Sequence, residues 1–267
     1  MRKIIIEFII SVAVLLGTWL ILSQVDWMTL FRVKQATQST GERVGNLCWD
    51  LLKKSETEIN TDSVVSPIDS ILTKICDKNQ IDRSKIKLHL LVNEEINAFA
   101  LPNNHLIVYS GLVEACKNEA ELDGVICHEL AHLEKNHVMN KLVKEVGLSV
   151  LLTMSSGNGN SEMIKRALKQ LSSSAYDRKM ETEADLTAVD YLIKAGIDPE
   201  PFANFLYRLS DETQNIPQQI YWISTHPESK KRAEEIIAHA LTYKDFKATA
   251  IDSTQFAGLK EKLSRKL

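Results

Sequence analysis

The stretch "CHELAHLEKNH", Cys127 to His137, decides how this chain is read. His128 and His132 are four residues apart, about 400° of rotation on an α-helix, so both rings project from one face a turn apart. Two imidazoles at that spacing can hold one zinc ion, and Glu129 between them can reach a water beside it. H-E-x-x-H is therefore two ligands plus a general base. The bland alternative is an amphipathic helix with two surface histidines. It fits poorly here, because Leu122, Val125, Ile126, Leu130 and Leu133 make the helix apolar on most sides. Two buried imidazoles and a buried carboxylate would be costly without a partner. Asn118 is a good N-cap and Glu121 completes a capping box, so the helix is expected to start there.

A third ligand is needed. His137 sits nine residues after His128, about 180° around an unbroken helix, and so faces away. A helix-breaking glycine would have to stand at Lys135, and the next histidine at Val138, for the longer H-E-x-x-H-x-x-G-x-x-H pattern. His137 is read instead as a packing or capping residue near the helix C-terminus. Downstream, "YDRKMETEADLTAVDYL" presents Glu181, Glu183 and Asp185 on one predicted helix. Glu181 and Asp185 share a face, whereas Glu183 is about 200° from Glu181 and points elsewhere. Glu181 would complete a His₂Glu set with a fourth position open for water. Asp185 could accept the far N–H of a ligand imidazole and fix its tautomer. The competing reading of this run is a solvated acidic face.

Around these two segments the periodicity changes. "KIKLHLLV" and "HLIVYSG" alternate as strands do, and "NAFALPNN" between them is a short apolar run ending in turn residues. Helices are expected near Glu42–Lys54, at Pro67–Lys78, from Asn118, at Ser161–Ser172, Ala175–Ala195 and Pro201–Asp211, and over "PESKKRAEEIIAHAL". "INTDSVVSP" reads as a linker, "GLSVLLTM" as a core helix, "SSGNGNS" as a flexible loop, and the lysine-rich tail as a solvated helix or disordered. The expected fold is α+β, mainly helical, with a small β-sheet next to the H-E-x-x-H helix.

With 267 residues and 44% hydrophobic content there is enough chain for one sizeable core. A net charge of −3 with no basic patch argues against nucleic acid. Cys48, Cys76, Cys116 and Cys127 show no C-x-x-C spacing, and Cys116 and Cys127 read as core thiols. At the N-terminus, Ile4 to Leu22 is an apolar run interrupted by Glu7. As a helix it would span about 28 Å, close to a bilayer's hydrocarbon thickness. It is read as an uncleaved membrane anchor; the rival, a cleaved signal peptide, lacks a small-residue cleavage site. Arg2 and Lys3 precede the run, so the N-terminus is expected in the cytoplasm and the bulk of the chain in the periplasm or an equivalent outer compartment. The expected organisation is an anchor over 1–25, a juxtamembrane segment over 26–60, the main domain over 61–245 and a polar tail over 246–267.

"NAFALPNNHLIVYSGLV", "EAELDGVICHELAHLEKNH", "DRKMETEAD" and "STHPESKKRAEEI" occur in this order. The ordered set resembles peptidase family M48, zinc metallopeptidases that include the HtpX heat-shock protease, the CAAX prenyl proteases and the mitochondrial Oma-type protease. The resemblance covers roughly Asn97 to Ile237. It implies a gluzincin-like fold, one zinc per chain on His128, His132 and Glu181, Glu129 as the base, and Asp185 behind the ligands. It implies that Asn97, Ala98, Phe99 and Ala100 border the cleft as a sheet edge where a substrate strand could add. It also places His226 near the metal, either stabilising an oxyanion or occluding the zinc at rest; the plain alternative is a loop turn before the last helix. Arg232 is expected to tie that helix to an acidic partner. The asparagines of "LPNN" stand where the family usually has glycines, and asparagine also tolerates positive φ. One candidate span and no tetratricopeptide extension favour the anchored or periplasmic branch. The implied function is a membrane-anchored zinc endopeptidase acting on unfolded or misassembled membrane or envelope proteins. The rivals are a chaperone-like peptide-binding module and a zinc hydrolase of non-peptide bonds.

Overall fold

The structure is a computed structural model that describes residues 12, 16–17, 33–212, 222, 225–227, 229–249 and 253–265. Its contacts cluster into two units, residues 1–40 and 41–267, and the second carries every element discussed below from Gly41 onward. No helix among the described residues is long and apolar enough to cross a membrane. The expected anchor, Ile4 to Leu22, lies outside them apart from Val12, Leu16 and Gly17.

The elements run α1 (Val33–Ser55), β1 (Thr57–Glu58), α2 (Asp62–Asn79), β2 (Lys87–Val92), β3 (Ala98–Leu101), β4 (His105–Tyr109), α3 (Ser110–Ala115), α4 (Glu119–Glu134), α5 (His137–Glu145), α6 (Leu148–Thr153), α7 (Ser161–Ser173), α8 (Arg178–Lys194), α9 (Glu200–Glu212), α10 (Ser229–Ala240) and α11 (Ser253–Ser264). The fold is mainly helical with one small mixed sheet of order β1-β2-β4-β3. β2 and β4 pair in parallel, while β3 and β4 form an antiparallel hairpin with Ala98 opposite Val108 and Leu101 opposite His105. The hairpin turn places Asn103 and Asn104 at φ 64° and 57°, the left-handed region that asparagine tolerates. α1 crosses this turn so closely that a Cβ at Gly45 would lie 1.9 Å from the Pro102 carbonyl oxygen, so only glycine fits there.

α4 starts as its sequence predicts. The Asn118 side chain accepts from the Glu121 N–H at 3.0 Å, and the Glu121 carboxylate accepts from the Lys117 N–H at 2.8 Å. Every residue from Ala120 to Leu133 is buried, so the helix is enclosed on all sides. β3 packs along it, α8 lies against another face, and α9 meets it at Gly124. α10 closes over α8 and α9, and Cys116 and Cys127 are buried thiols.

Four expectations need correction. α2 begins at Asp62 rather than Pro67, because a proline one turn inside a helix removes a single hydrogen bond and leaves the first turn intact. α6 is not a core helix: only Leu151 is buried, and Leu148 and Leu152 are 41% and 43% exposed. The "SSGNGNS" stretch contains a π-type turn at Met154–Asn158 with Gly157 at φ 87°. In the tail, α11 buries Phe256, Leu259 and Leu263 and packs on α2.

Candidate metal centre

α4 and α8 bring the predicted ligands together. His128, His132, Glu181 and His226 are all buried, and one ligand atom from each lies within 4.8 Å of every other. The two Nε2 atoms of His128 and His132 are 3.0 Å apart. Glu181 Oε1 is 3.4 Å from His132 Nε2, and Glu181 Oε2 is 3.7 Å from His128 Nε2. His226 Nδ1 stands 3.1 Å from His128 Nε2 and 3.0 Å from Glu181 Oε1. Adjacent ligands of a tetrahedral zinc with bonds of about 2.0–2.1 Å are roughly 3.3–3.4 Å apart. The separations bracket that value.

The polarity of the hydrogen bonds gives a second test. Asp185 Oδ1 lies 2.9 Å from His128 Nδ1, close enough to pair as ions but outside hydrogen-bond geometry. That carboxylate draws the ring proton to Nδ1 and leaves the Nε2 lone pair facing the cluster. His132 Nδ1 likewise has a partner on its far side, His137 Nδ1 at 3.1 Å. Two imidazole lone pairs facing each other at 3.0 Å repel unless a cation lies between them. Glu129, Glu181 and Asp185 are three buried carboxylates, and among the described residues Arg232 and Lys141 are the buried cations near them. The residues fit a bound dication.

Burial opposes ionisation of Glu181, yet His226 and Arg232 hold its carboxyl well below the usual range. Burial likewise opposes ionisation of Glu129, and His226 outweighs it, so that carboxyl too stays below its ordinary value. Burial drives His132 down to about 3, the neutral form a ligand needs. His226 moves the other way: burial lowers it, but Glu181 and Glu129 together raise it above the ordinary value.

Arg232 meets the acidic partner expected of it twice over. Its Nε donates to Asp185 Oδ2 and an Nη to Asp185 Oδ1, both at 2.7 Å. Its Nη1 lies 2.8 Å from Glu181 Oε2 and donates to the His226 carbonyl at 3.0 Å. One guanidinium thus fixes the Glu181 carboxylate, the Asp185 carboxylate behind His128 and the His226 backbone.

Asn97, Ala98, Phe99 and Ala100 are buried, on or beside β3 at the sheet edge next to α4. Asn97 donates its side-chain amide to the Ser172 carbonyl at 3.2 Å, and the Ile96 carbonyl accepts from the Trp222 N–H at 3.1 Å. α7 also packs on β3, so the edge is covered in this conformation.

Several neighbours carry no signal in the sequence. Trp222 donates its indole N–H to Glu129 Oε1 at 3.3 Å, leaving Glu129 Oε2 without a partner. Tyr176 stacks on His132 with centroids 4.0 Å apart, and its backbone N–H donates to the Thr225 carbonyl at 3.1 Å. Tyr176 lies forty-four residues from His132, and Trp222 lies ninety-three from Glu129, where no local pattern reports the contact. His137 is not among the four clustered residues, and it lies just beyond the end of α4. The helix stops at Glu134, Asn136 takes φ 57°, and His137 opens α5 with its ring turned back towards His132.

A buried His-His-Glu set on two helices with a glutamate inside the pair is the make-up of a zinc metallopeptidase centre. The chain belongs to peptidase family M48, a family of zinc metalloproteases: the family model matches residues 66–240, most of the described part. Relatives include a beta-barrel assembly-enhancing protease of Yersinia pestis, 27% identical over 59% of this chain and 36% of the relative. The mitochondrial metalloendopeptidase OMA1 of Schizosaccharomyces pombe is 29% identical over 63% of this chain and 51% of the relative. Metalloprotease LoiP of Escherichia coli is 25% identical over 67% of this chain and 75% of the relative. The chain thus matches about a third to about a half of the length of the first two.

Proposed function

We propose that this chain is a membrane-anchored zinc endopeptidase in which His128, His132 and Glu181 hold the metal and Glu129 is the general base. The observation that carries the reading is the convergence of the His128 and His132 Nε2 atoms with Glu181, beside the buried Glu129. Bound zinc supplies Lewis acidity, lowering the pKa of a water and polarising a carbonyl. Glu129 Oε2, the oxygen without a partner, takes a proton from water as the water oxygen attacks the scissile carbon. The same carboxylate hands that proton to the amine nitrogen as the C–N bond breaks. Trp222 holds the other oxygen and so aims the carboxylate. Asp185 and Arg232 act through the ligands, fixing His128 and Glu181.

The distances favour an occluding role for His226 over oxyanion stabilisation in this conformation. Its Nδ1 sits among the ligands, where an open site would admit water, and its Nε2 lies 3.2 Å from Glu129 Oε1. Substrate entry requires His226 to withdraw and the β3 edge to be uncovered, after which an extended peptide could pair with Ala98–Leu101. Anchoring through Ile4 to Leu22, with the catalytic part in the periplasm or an equivalent compartment, would hold this cleft near a bilayer. Unfolded or misassembled membrane and envelope proteins are the substrates we infer, in keeping with relatives described as an assembly-enhancing protease and a mitochondrial metalloendopeptidase.

The test compares the full chain with Glu129→Gln on an unfolded substrate such as casein. Removing a general base costs about 10²–10⁴-fold in rate. Equal cleavage by both proteins would remove Glu129 from the mechanism. Rescue of a deletion strain by Glu129→Gln would favour the chaperone-like reading.

A further inference from the structure

We propose that His137 and Glu183 form a relay that orients His132 and strengthens its hold on the metal. The inference rests on His132 being a zinc ligand and goes beyond it, since neither relay residue belongs to the ligand set.

Five residues apart on an unbroken helix, His132 and His137 would be turned about 140° from one another. The break between α4 and α5 undoes this. Asn136, held at φ 57°, swings His137 back until the ring centroids are 5.1 Å apart. Both rings are buried, and their Nδ1 atoms are 3.1 Å apart. On its other side, His137 Nε2 lies 3.3 Å from Glu183 Oε2. Glu183 points away from Glu181 and is half exposed, with Lys135 Nζ 3.6 Å from its other oxygen. A single chain of contacts therefore runs from the edge of solvent to a ligand nitrogen.

Its polarity follows from the carboxylate, which can only accept. His137 must therefore carry a proton on Nε2 and donate it to Glu183. A neutral His137 then offers a lone pair at Nδ1, which accepts from His132 Nδ1–H. His132 is left with its lone pair on Nε2, the atom 3.0 Å from His128 Nε2 and 3.4 Å from Glu181. The opposite tautomer of His132 would need His137 to donate from Nδ1 and would set its Nε2 lone pair against the carboxylate. The Glu183 charge thus selects the metal-binding tautomer of His132 from about two side chains away and makes its Nε2 more basic. On α8, Asp185 does this for His128 and Glu183 does it for His132, the latter through an inserted imidazole.

The measurement is zinc affinity of the full chain in detergent, by chelator competition at fixed pH, for five proteins. These are wild type, His132→Ala, His137→Phe, His137→Asn and Glu183→Leu. Phenylalanine keeps the ring packing and removes the acceptor, so zinc should bind about 10–100-fold more weakly. Asparagine returns an acceptor near the Nδ1 position and should recover most of that loss. Glu183→Leu, at a half-exposed site, should weaken zinc by roughly 10-fold while leaving the melting temperature of the zinc-free protein unchanged. Wild-type affinity in His137→Phe, or equal losses in the Phe and Asn variants, would overturn the relay and leave packing only. If His137→Phe fails to fold, Glu183→Leu decides, and wild-type affinity there overturns the proposal. Unchanged zinc binding in His132→Ala would instead sink the ligand assignment beneath it.

Discussion

Replacing Arg232 by methionine should be among the most damaging single changes in the protein, although Arg232 is no ligand. The side chain is buried and spends its donors on both oxygens of Asp185 at 2.7 Å, on Glu181 at 2.8 Å and on the His226 carbonyl at 3.0 Å. Burial opposes the charge of Asp185, and the neighbouring guanidinium is the main reason its carboxyl stays ionised. Methionine fills a similar volume but strands the Asp185 carboxylate and takes a partner from Glu181. Breaking a buried pair from one side costs about 3–5 kcal/mol. For a domain of this size about 1 kcal/mol moves the melting temperature by about 2–4 °C, so the loss should be on the order of 10 °C. The assay is thermal unfolding of the zinc-free full chain in detergent, followed by circular dichroism, so that metal binding does not enter. Asp185→Asn in the Arg232→Met background should then add little, because Asp185 no longer carries a stranded charge and only the Glu181 partner is still lost. A single variant melting within about 3 °C of wild type, or strictly additive losses in the double variant, would refute the reasoning.

Two glycines should respond with opposite signs. A Cβ at Gly124 would lie 2.3 Å from Phe202 Cβ, so Gly124→Ala must push α4 from α9 at a cost of about 1–3 kcal/mol. Gly258, inside α11, has nothing within 4 Å of that position, so Gly258→Ala should stabilise by up to about 1 kcal/mol. Urea denaturation of both variants checks the pair, and a stabilised Gly124→Ala would contradict the packing. His105 predicts a pH effect away from the metal. It is buried with Nδ1 2.9 Å from His89 Nε2, and burial, with Lys87 and His89 adding to it, pushes it down to about 3. An unfolded histidine titrates near about 6.5. As pH falls below that value the unfolded chain gains a proton that the folded one refuses, so stability is intact above it and lost on the way down towards 3. Between pH 7.5 and 5 the wild type should lose about 2 kcal/mol more than His105→Asn, and parallel stability curves would exclude this account.

The sequence carried the centre because its geometry is local. The spacing of His128 and His132, and of Glu181 and Asp185, is read directly from helical periodicity, and each pair shares a face as that spacing requires, the two faces meeting in the fold. Asn118 and the Asn103–Asn104 turn were legible for the same reason, since each acts within three or four residues of itself. What escaped depends on partners far along the chain. α6 has the composition of a core helix, but only Leu151 finds a covering element. The tail looks solvated until Phe256, Leu259 and Leu263 meet α2. The break at Asn136 could have been suspected, because asparagine enters the left-handed region more readily than most residues. Its consequence for His137 requires α8 in place, and no helical wheel contains that.

Zinc-edge X-ray absorption on the purified full chain reports directly on the shell that His128, His132 and Glu181 would form around one cation. We predict one zinc per chain, ringed by nitrogen and oxygen alone at about 2.0–2.1 Å, with the multiple-scattering signature of at least two imidazoles. A sulfur shell at about 2.3 Å, which would bring in a cysteine such as Cys127, or a shell without imidazole, would contradict it.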